Sequence, residues 1–172
     1  MYRAEQKIGN YRLIRRIGRG GYGDVWLADR TTKFVTTSVA VKLPLVEHVD
    51  HELIKREAQI WARASGHPNV LSIIDADEYD GQVVIVSEYA PDGSLNDLLK
   101  NNGGLLPIDR AVEIAVGVLS DLEFLHSKEI IHRDIKPANV MLLQGDRIKI
   151  TDFGIAHMST SSGTLAGTVL GS

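Results

Sequence analysis

Hydrophobic positions along the chain change period part-way through. From Tyr11 to Leu43 they fall in short runs rich in β-branched and aromatic residues, broken by Gly or polar turns, and predict strands over 11–17, 24–29 and 38–43. Residues 30–33 read as the hairpin loop between the last two. In the third run, strict alternation puts Val39 and Val41 on one face and Ala40 with Lys42 on the other. A helix follows over 50–64, closed by Gly66 and Pro68, with Leu53, Ile60, Trp61 and Ala64 as its apolar stripe. Glu57 falls on that same stripe, and a carboxylate facing an interior needs a partner. Two more strands are predicted over 71–74 and 83–88, joined by the acidic turn at Asp80-Gly81.

After Tyr89-Ala90-Pro91-Asp92-Gly93 the pattern turns helical. A short helix is expected over 94–101, with Ser94 near its cap and Asn102-Gly103-Gly104 as its stop. A long one runs from Pro107, in its first turn, to Ser127. Ala111, Val112, Ile114, Ala115, Val116, Val118, Leu119, Leu122 and Leu125 make it apolar nearly all the way round, the signature of a helix covered on several sides. Only two short strands, over 140–143 and 147–150, and a Ser/Thr/Gly-rich tail from Ser159 remain to cover it. With roughly 1.5–3 kcal/mol at stake per buried apolar side chain and a total stability of only about 5–15 kcal/mol, such a chain is expected to fold poorly alone or to lean on a partner.

The 172 residues allow one or two domains, and 44% hydrophobic with 24% charged residues is ordinary globular usage, which rules out wholesale disorder. A net charge of −3 leaves no electrostatic footprint for nucleic acid or an anionic membrane. No apolar run is long enough to span a bilayer, and the first residues lack the apolar stretch of a secretory signal. The absence of Cys removes disulfides, thiolate nucleophiles and Cys-based zinc sites, and fits a reducing, cytoplasmic setting. The six His residues form no ligand cluster in sequence, which argues against a metal hydrolase.

Four segments carry chemistry. Gly18-Arg19-Gly20-Gly21-Tyr22-Gly23-Asp24-Val25 fits G-x-G-x-x-G-x-V, in which backbone N–H groups approach phosphate without a Cβ in the way. A glycine turn between strands is the plainer reading of that segment. The strand that follows, rather than a helix, argues against a dinucleotide fold and for a flap over a nucleotide. Lys42 ends an otherwise apolar strand, where it either reaches solvent or pairs with Glu57 and meets phosphate oxygens. His132-Arg133-Asp134-Ile135-Lys136-Pro137-Ala138-Asn139 combines a carboxylate to orient a hydroxyl and take its proton, an ammonium to offset phosphoryl charge, and an amide oxygen for a metal ion. Asp152-Phe153-Gly154 places an Asp at a strand exit, suited to Mg²⁺, although a bare D-F-G is by default a surface turn.

Taken together and in this order, from about Tyr11 to the end, the four segments resemble the eukaryotic-type serine/threonine protein kinases. The resemblance implies an α+β, two-lobe fold: a five-stranded antiparallel sheet with one helix, then the start of a mainly helical lobe. It divides the chain into an N-terminal extension (1–10), a small lobe (11–87), a hinge (88–91) and a partial large lobe (92–172). ATP and Mg²⁺ are the implied cofactors. Ile17, Gly18, Gly20, Gly23, Val25, Ala40, Lys42, Glu88, Ala90 and Met141 would contact the nucleotide, with Ser87 at the gatekeeper position. Asp134, Lys136, Lys42 and Glu57 would be catalytic, with Asn139 and Asp152 the metal ligands. Lys136, two places after Asp134, is the serine/threonine-type pattern, and Arg133 resembles the receiver of an activation-loop phosphate, for which Ser159, Thr160, Ser161, Ser162, Thr164 and Thr168 are candidates. A protein substrate, autophosphorylation and a partner covering the incomplete lobe are the implied interactions. The A-P-E landmark that follows the activation segment in the family is absent, so a truncated kinase domain is expected, with a nucleotide-binding or partner-binding remnant as the alternative.

Overall fold

The computed structural model describes residues 2–20, 23–44, 51–145 and 147–152; the side chains of Leu53 and Glu57 and the surroundings of Gly20 fall outside that set. Strands β1 (Lys7–Ile8), β2 (Tyr11–Gly20), β3 (Gly23–Thr31), β4 (Thr36–Pro44), β5 (Ile73–Tyr79) and β6 (Gln82–Glu88) form one antiparallel sheet in the order β1-β2-β3-β4-β6-β5. Helix α1 (His51–Ala64) lies between β4 and β5 in sequence. The sheet therefore carries one strand more than the five expected. Lys7–Ile8, from the stretch assigned to an N-terminal extension, pairs with the start of β2 as a two-residue edge. The strand expected over 71–74 instead begins at Ile73 and runs on through Asp75, Asp77 and Glu78 to Tyr79. Leu71 is spent elsewhere, donating its N–H to Ile150.

The alternation in β4 holds. Val39 and Val41 are buried in a core with Tyr11, Leu13, Trp26, Ala28, Val84 and Val86 inside the curl of the sheet, while Ala40 and Lys42 face the other way. Two bulges in β2, after Leu13 and after Arg16, bend that strand. The second leaves Ile17 as the extra residue, and its side chain lines a cleft.

After β6, α2 (Leu95–Asn101) is opened by a capping box in which Ser94 and Asp97 satisfy each other's backbone N–H groups. Then come α3 (Ile108–Ser127), a 3₁₀ turn at Pro137–Asn139, and a two-stranded sheet of β7 (Val140–Leu143) with β8 (Arg147–Ile150). A second core unites both lobes: Trp61, Ala64, Val70 and Ile85 pack with Ile114, Leu125, Val140, Leu142, Ile148 and Ile150. Only Ile114, Asp121 and Leu125 of α3 are buried among its described residues, and Val112, Val116 and Leu119 stand 55%, 60% and 65% exposed. The shortage of cover read from the sequence is thus visible as an apolar face in solvent. Among the described residues no helix is long and apolar enough to cross a membrane.

Candidate active site

A cleft of about 420 Å³ runs between the sheet and the β7–β8 pair, within the size range of small-molecule sites. Ile17, Val25 and Ala40 form its upper wall and Met141 its floor, with Glu88, Tyr89 and Ala90 along the back. Lys42 and Asp152 line its inner end. Register explains the upper wall: Val25 is opposite Lys42, and Ala40 is opposite Ser87, so each strand turns one alternate face to the cleft. The described glycines stand where β2 pairs with β3, Gly18 opposite Val25 and Gly20 opposite Gly23. Gly18 lines the cleft. Gly23 has a separate structural cause, because its φ is +140° and a Cβ there would fall on the carbonyl oxygen of Leu43.

Lys42 Nζ donates to Asp152 Oδ1 at 2.7 Å, joining β4 of one lobe to the end of β8 in the other. The Glu57 side chain, expected to hold Lys42, lies outside the described residues, as do Phe153, Gly154 and the candidate Ser/Thr sites from Ser159 onward. Asp152 sits at φ 58°, in the left-handed region, which turns its carboxylate out of the strand direction and into the cleft.

The segment from His132 to Asn139 folds on itself. Asn139 Nδ2 donates to both the main-chain oxygen and Oδ2 of Asp134, at 2.8 and 3.0 Å, and Lys136 Nζ reaches the same Oδ2 at 2.7 Å. The amide N–H of Asp134 donates to His132 Nδ1, which leaves Nε2–H of that ring to donate to the carbonyl of Thr151 at 2.8 Å. Burial lowers the pKa of His132 below its ordinary value, so the ring is neutral and serves as a strut between the loop and the residue before Asp152. Thr151 N–H in turn donates to the Asn139 carbonyl. The loop and the end of β8 are thereby one hydrogen-bonded unit. Arg133 within it is held at φ 66°, a conformation costly for a long side chain.

The structure thus brings Lys42, Asp152, Ile17, Val25, Ala40 and Met141 into one cleft, and binds Asp134, Lys136 and Asn139 into a cluster joined through Thr151 to Asp152. Asn139 uses its amide nitrogen on Asp134, so its oxygen is the atom it can offer to a cation. With the Asp152 carboxylate it makes an all-oxygen donor pair, the hard-ligand chemistry that suits Mg²⁺.

The sequence profile described as "Protein kinase domain" matches residues 11–172. The chain belongs to the protein kinase family. Its relatives include the serine/threonine-protein kinase PknH of Mycobacterium bovis, 38% identical over 98% of this chain, and PrkC of Bacillus subtilis, 38% identical over 95%. Serine/threonine-protein kinase 36 of Pongo abelii is 39% identical over 88%. The chain spans only 28%, 26% and 12% of the length of those three proteins. The crystal structure of the Mycobacterium tuberculosis PknI kinase domain matches with a TM-score of 0.73 and 29% identity, over 91% of this chain and 64% of that one.

Two features of this kinase cleft escaped the sequence reading. Asp97 and Lys100 of α2 line its mouth. The Ser94 hydroxyl and backbone hold the Asp97 carboxyl below the usual carboxylate range, and the S-x-x-D capping pattern was the available signal. The second is Lys149, whose Nζ meets Glu88 Oε2 at 2.6 Å and ties β8 to the end of β6. Their separation of 61 positions leaves no local pattern to read.

Proposed function

We propose that this chain binds Mg-ATP in the cleft and belongs to a catalytic unit that moves the γ-phosphoryl group to Ser or Thr hydroxyls of proteins. The observation that carries this reading is the 2.7 Å contact of Lys42 with Asp152 across the lobes, beside a loop in which Asp134 is gripped by Asn139 and Lys136. Ile17, Val25, Ala40 and Met141 enclose the adenine, the backbone of Glu88 and Ala90 reads its edge, and Gly18, Gly20 and Gly23 shape the flap over the phosphates. Lys42, with Glu57 as its positioning partner, contacts the α- and β-phosphates. Asp134 orients the acceptor hydroxyl and takes its proton, while Lys136 offsets the charge of the moving phosphoryl group. Asn139 and Asp152 would hold Mg²⁺, which when bound supplies charge neutralisation at the triphosphate. In this reading residues 11–87 form the small lobe, 88–91 the hinge and 92–172 part of the large lobe. Autophosphorylation on a Ser or Thr between Ser159 and Thr168 and a cytoplasmic setting belong to it.

The test is phosphate incorporation from γ-labelled ATP into a Ser/Thr substrate or into the chain itself. Asp134→Asn is expected to lower kcat by about 10²–10⁴-fold, the usual share of a positioned general base. Asp152→Ala is expected to abolish transfer. Unchanged rates in both variants would overturn the reading. A second reading, a kinase remnant that binds nucleotide or a partner without transfer, is favoured by the exposed apolar face of α3, which fits a covering polypeptide. Nucleotide binding with no incorporation would select it.

A further inference from the structure

Asp121 occupies a place that the pattern of α3 reserves for an apolar side chain. Ile114, Val118, Asp121 and Leu125 form one stripe at helical spacing, and Asp121 is 0% exposed. Neither carboxylate oxygen completes a hydrogen bond among the described residues. The polar neighbour is the side chain of Asn69, in the crossover that leads from α1 to β5.

That crossover is the seam between the lobes. The Asn69 carbonyl accepts from Ile150 N–H and the Leu71 N–H donates to the Ile150 carbonyl, both at 3.0 Å, so the segment meets β8 in a single parallel bridge at Val70 and Ile150, two residues short of Asp152. On the other side the His67 ring stacks on Phe124 of α3, with centroids 3.8 Å apart. Asp121 lies under this seam, one helical turn before Phe124.

Four titratable groups on these and neighbouring elements are engaged elsewhere. His67 stacks on Phe124, Arg63 of α1 donates to the Lys128 carbonyl, Lys149 of β8 meets Glu88, and His132 bonds Thr151. None of these contacts neutralises Asp121, and an ionised carboxylate buried without a counter-charge is costly.

We propose that Asp121 is a positioning residue: its carboxyl is buried beneath the seam where α3, the Asn69 crossover and β8 meet, and ionising it there, out of water and without a counter-charge, loosens the seam that leads to Asp152. Burial pushes its pKa up to about 7, with the Asn69 side chain opposing. The folded chain then keeps a proton that the unfolded chain has already released. Stability falls as pH rises from about 4 to about 7 and is flat above. The part of the proposal that concerns Asp152 rests on the kinase reading of the cleft; the titration does not.

The test uses the whole 172-residue chain. A ¹³C NMR titration of the side-chain carboxyls, with Asp121 assigned by its loss in Asp121→Asn, is expected to give Asp121 a midpoint near 7, and an ordinary midpoint near 4 overturns the proposal. Affinity for a fluorescent ATP analogue with Mg²⁺ is expected to weaken about threefold or more from pH 6 to 8 in the unaltered chain and to stay flat in Asp121→Asn, a neutral isostere. Parallel pH profiles in the two chains overturn the coupling to Asp152. Asp121→Leu, which completes the apolar stripe, is expected to raise the unfolding midpoint at pH 8 and to remove its decline between pH 5 and 7. A decline that persists in this variant also overturns the proposal. Failure of every variant to bind nucleotide at any pH would sink the kinase reading, while the titration and the unfolding profiles would still decide the role of Asp121.

Discussion

Single residues of the flap and loop show how backbone geometry and chemistry divide between positions. Gly23 is opposite Pro44 in the β3–β4 ladder, at a φ that L side chains rarely adopt and with no room for a Cβ beneath the Leu43 carbonyl. The fold therefore demands glycine there whether or not a phosphate ever lies above it. Gly18 meets only ordinary contacts with Val25, so its lack of a side chain has no comparable structural cause. The two positions are separable by experiment. Gly23→Ala is expected to cost roughly 2–4 kcal/mol of unfolding free energy, from combined backbone strain and overlap, as read from the urea midpoint. Gly18→Ala is expected to leave that midpoint within about 1 kcal/mol while weakening nucleotide binding. The reverse ranking would mean that the loop, not the ladder, sets the conformation at 23.

The end of β6 is tied to β8 by the ion pair of Glu88 with Lys149. Lys149 is 13% exposed and Glu88 34%, so their contact is neither fully screened nor fully buried. Lys149→Met is expected to cost about 1–2 kcal/mol, between the values of surface and buried pairs, and a double-mutant cycle with Glu88→Gln isolates the coupling. Additive losses would show that the pair is incidental to the joining of β6 and β8. This link lies beyond the reach of local patterns; Asp121, by contrast, stands at helical spacing from Ile114, Val118 and Leu125, but in a helix apolar nearly all the way round that spacing does not tell the buried side from the exposed one. Other parts were legible because they are local. Val39, Val41 and Lys42 alternate as the strand requires, and Gly18, Lys42 and Asp152, singled out in separate segments of the sequence, line one cleft, with Asp134 in the adjoining loop. The acidic run Asp75–Glu78 was not read as strand, since its composition is poor for β structure; pairing with the buried β6 supplies what propensity lacks. Lys7–Ile8 was too short to carry any period at all.

At the scale of the molecule, the apolar residues of α3 divide into two populations that should respond oppositely to substitution. Leu125 is 0% exposed in the core shared by both lobes, and Leu125→Ala is expected to cost roughly 2–5 kcal/mol. Ile108, Val112, Val116 and Leu119 recur at spacings of four, four and three along the opposite side, each more than half exposed. A contiguous apolar face of this kind drives association rather than folding of the chain that bears it. Converting Val112 and Leu119 together to Lys is therefore expected to change the unfolding free energy by no more than about 0.5 kcal/mol per site while shifting sedimentation toward the monomer. If the double substitution instead unfolds the chain, the face is covered in solution, and the stability of this kinase segment is inseparable from that cover. A protein-concentration dependence of the unfolding midpoint would then identify a second copy as the cover, and its absence an intramolecular one.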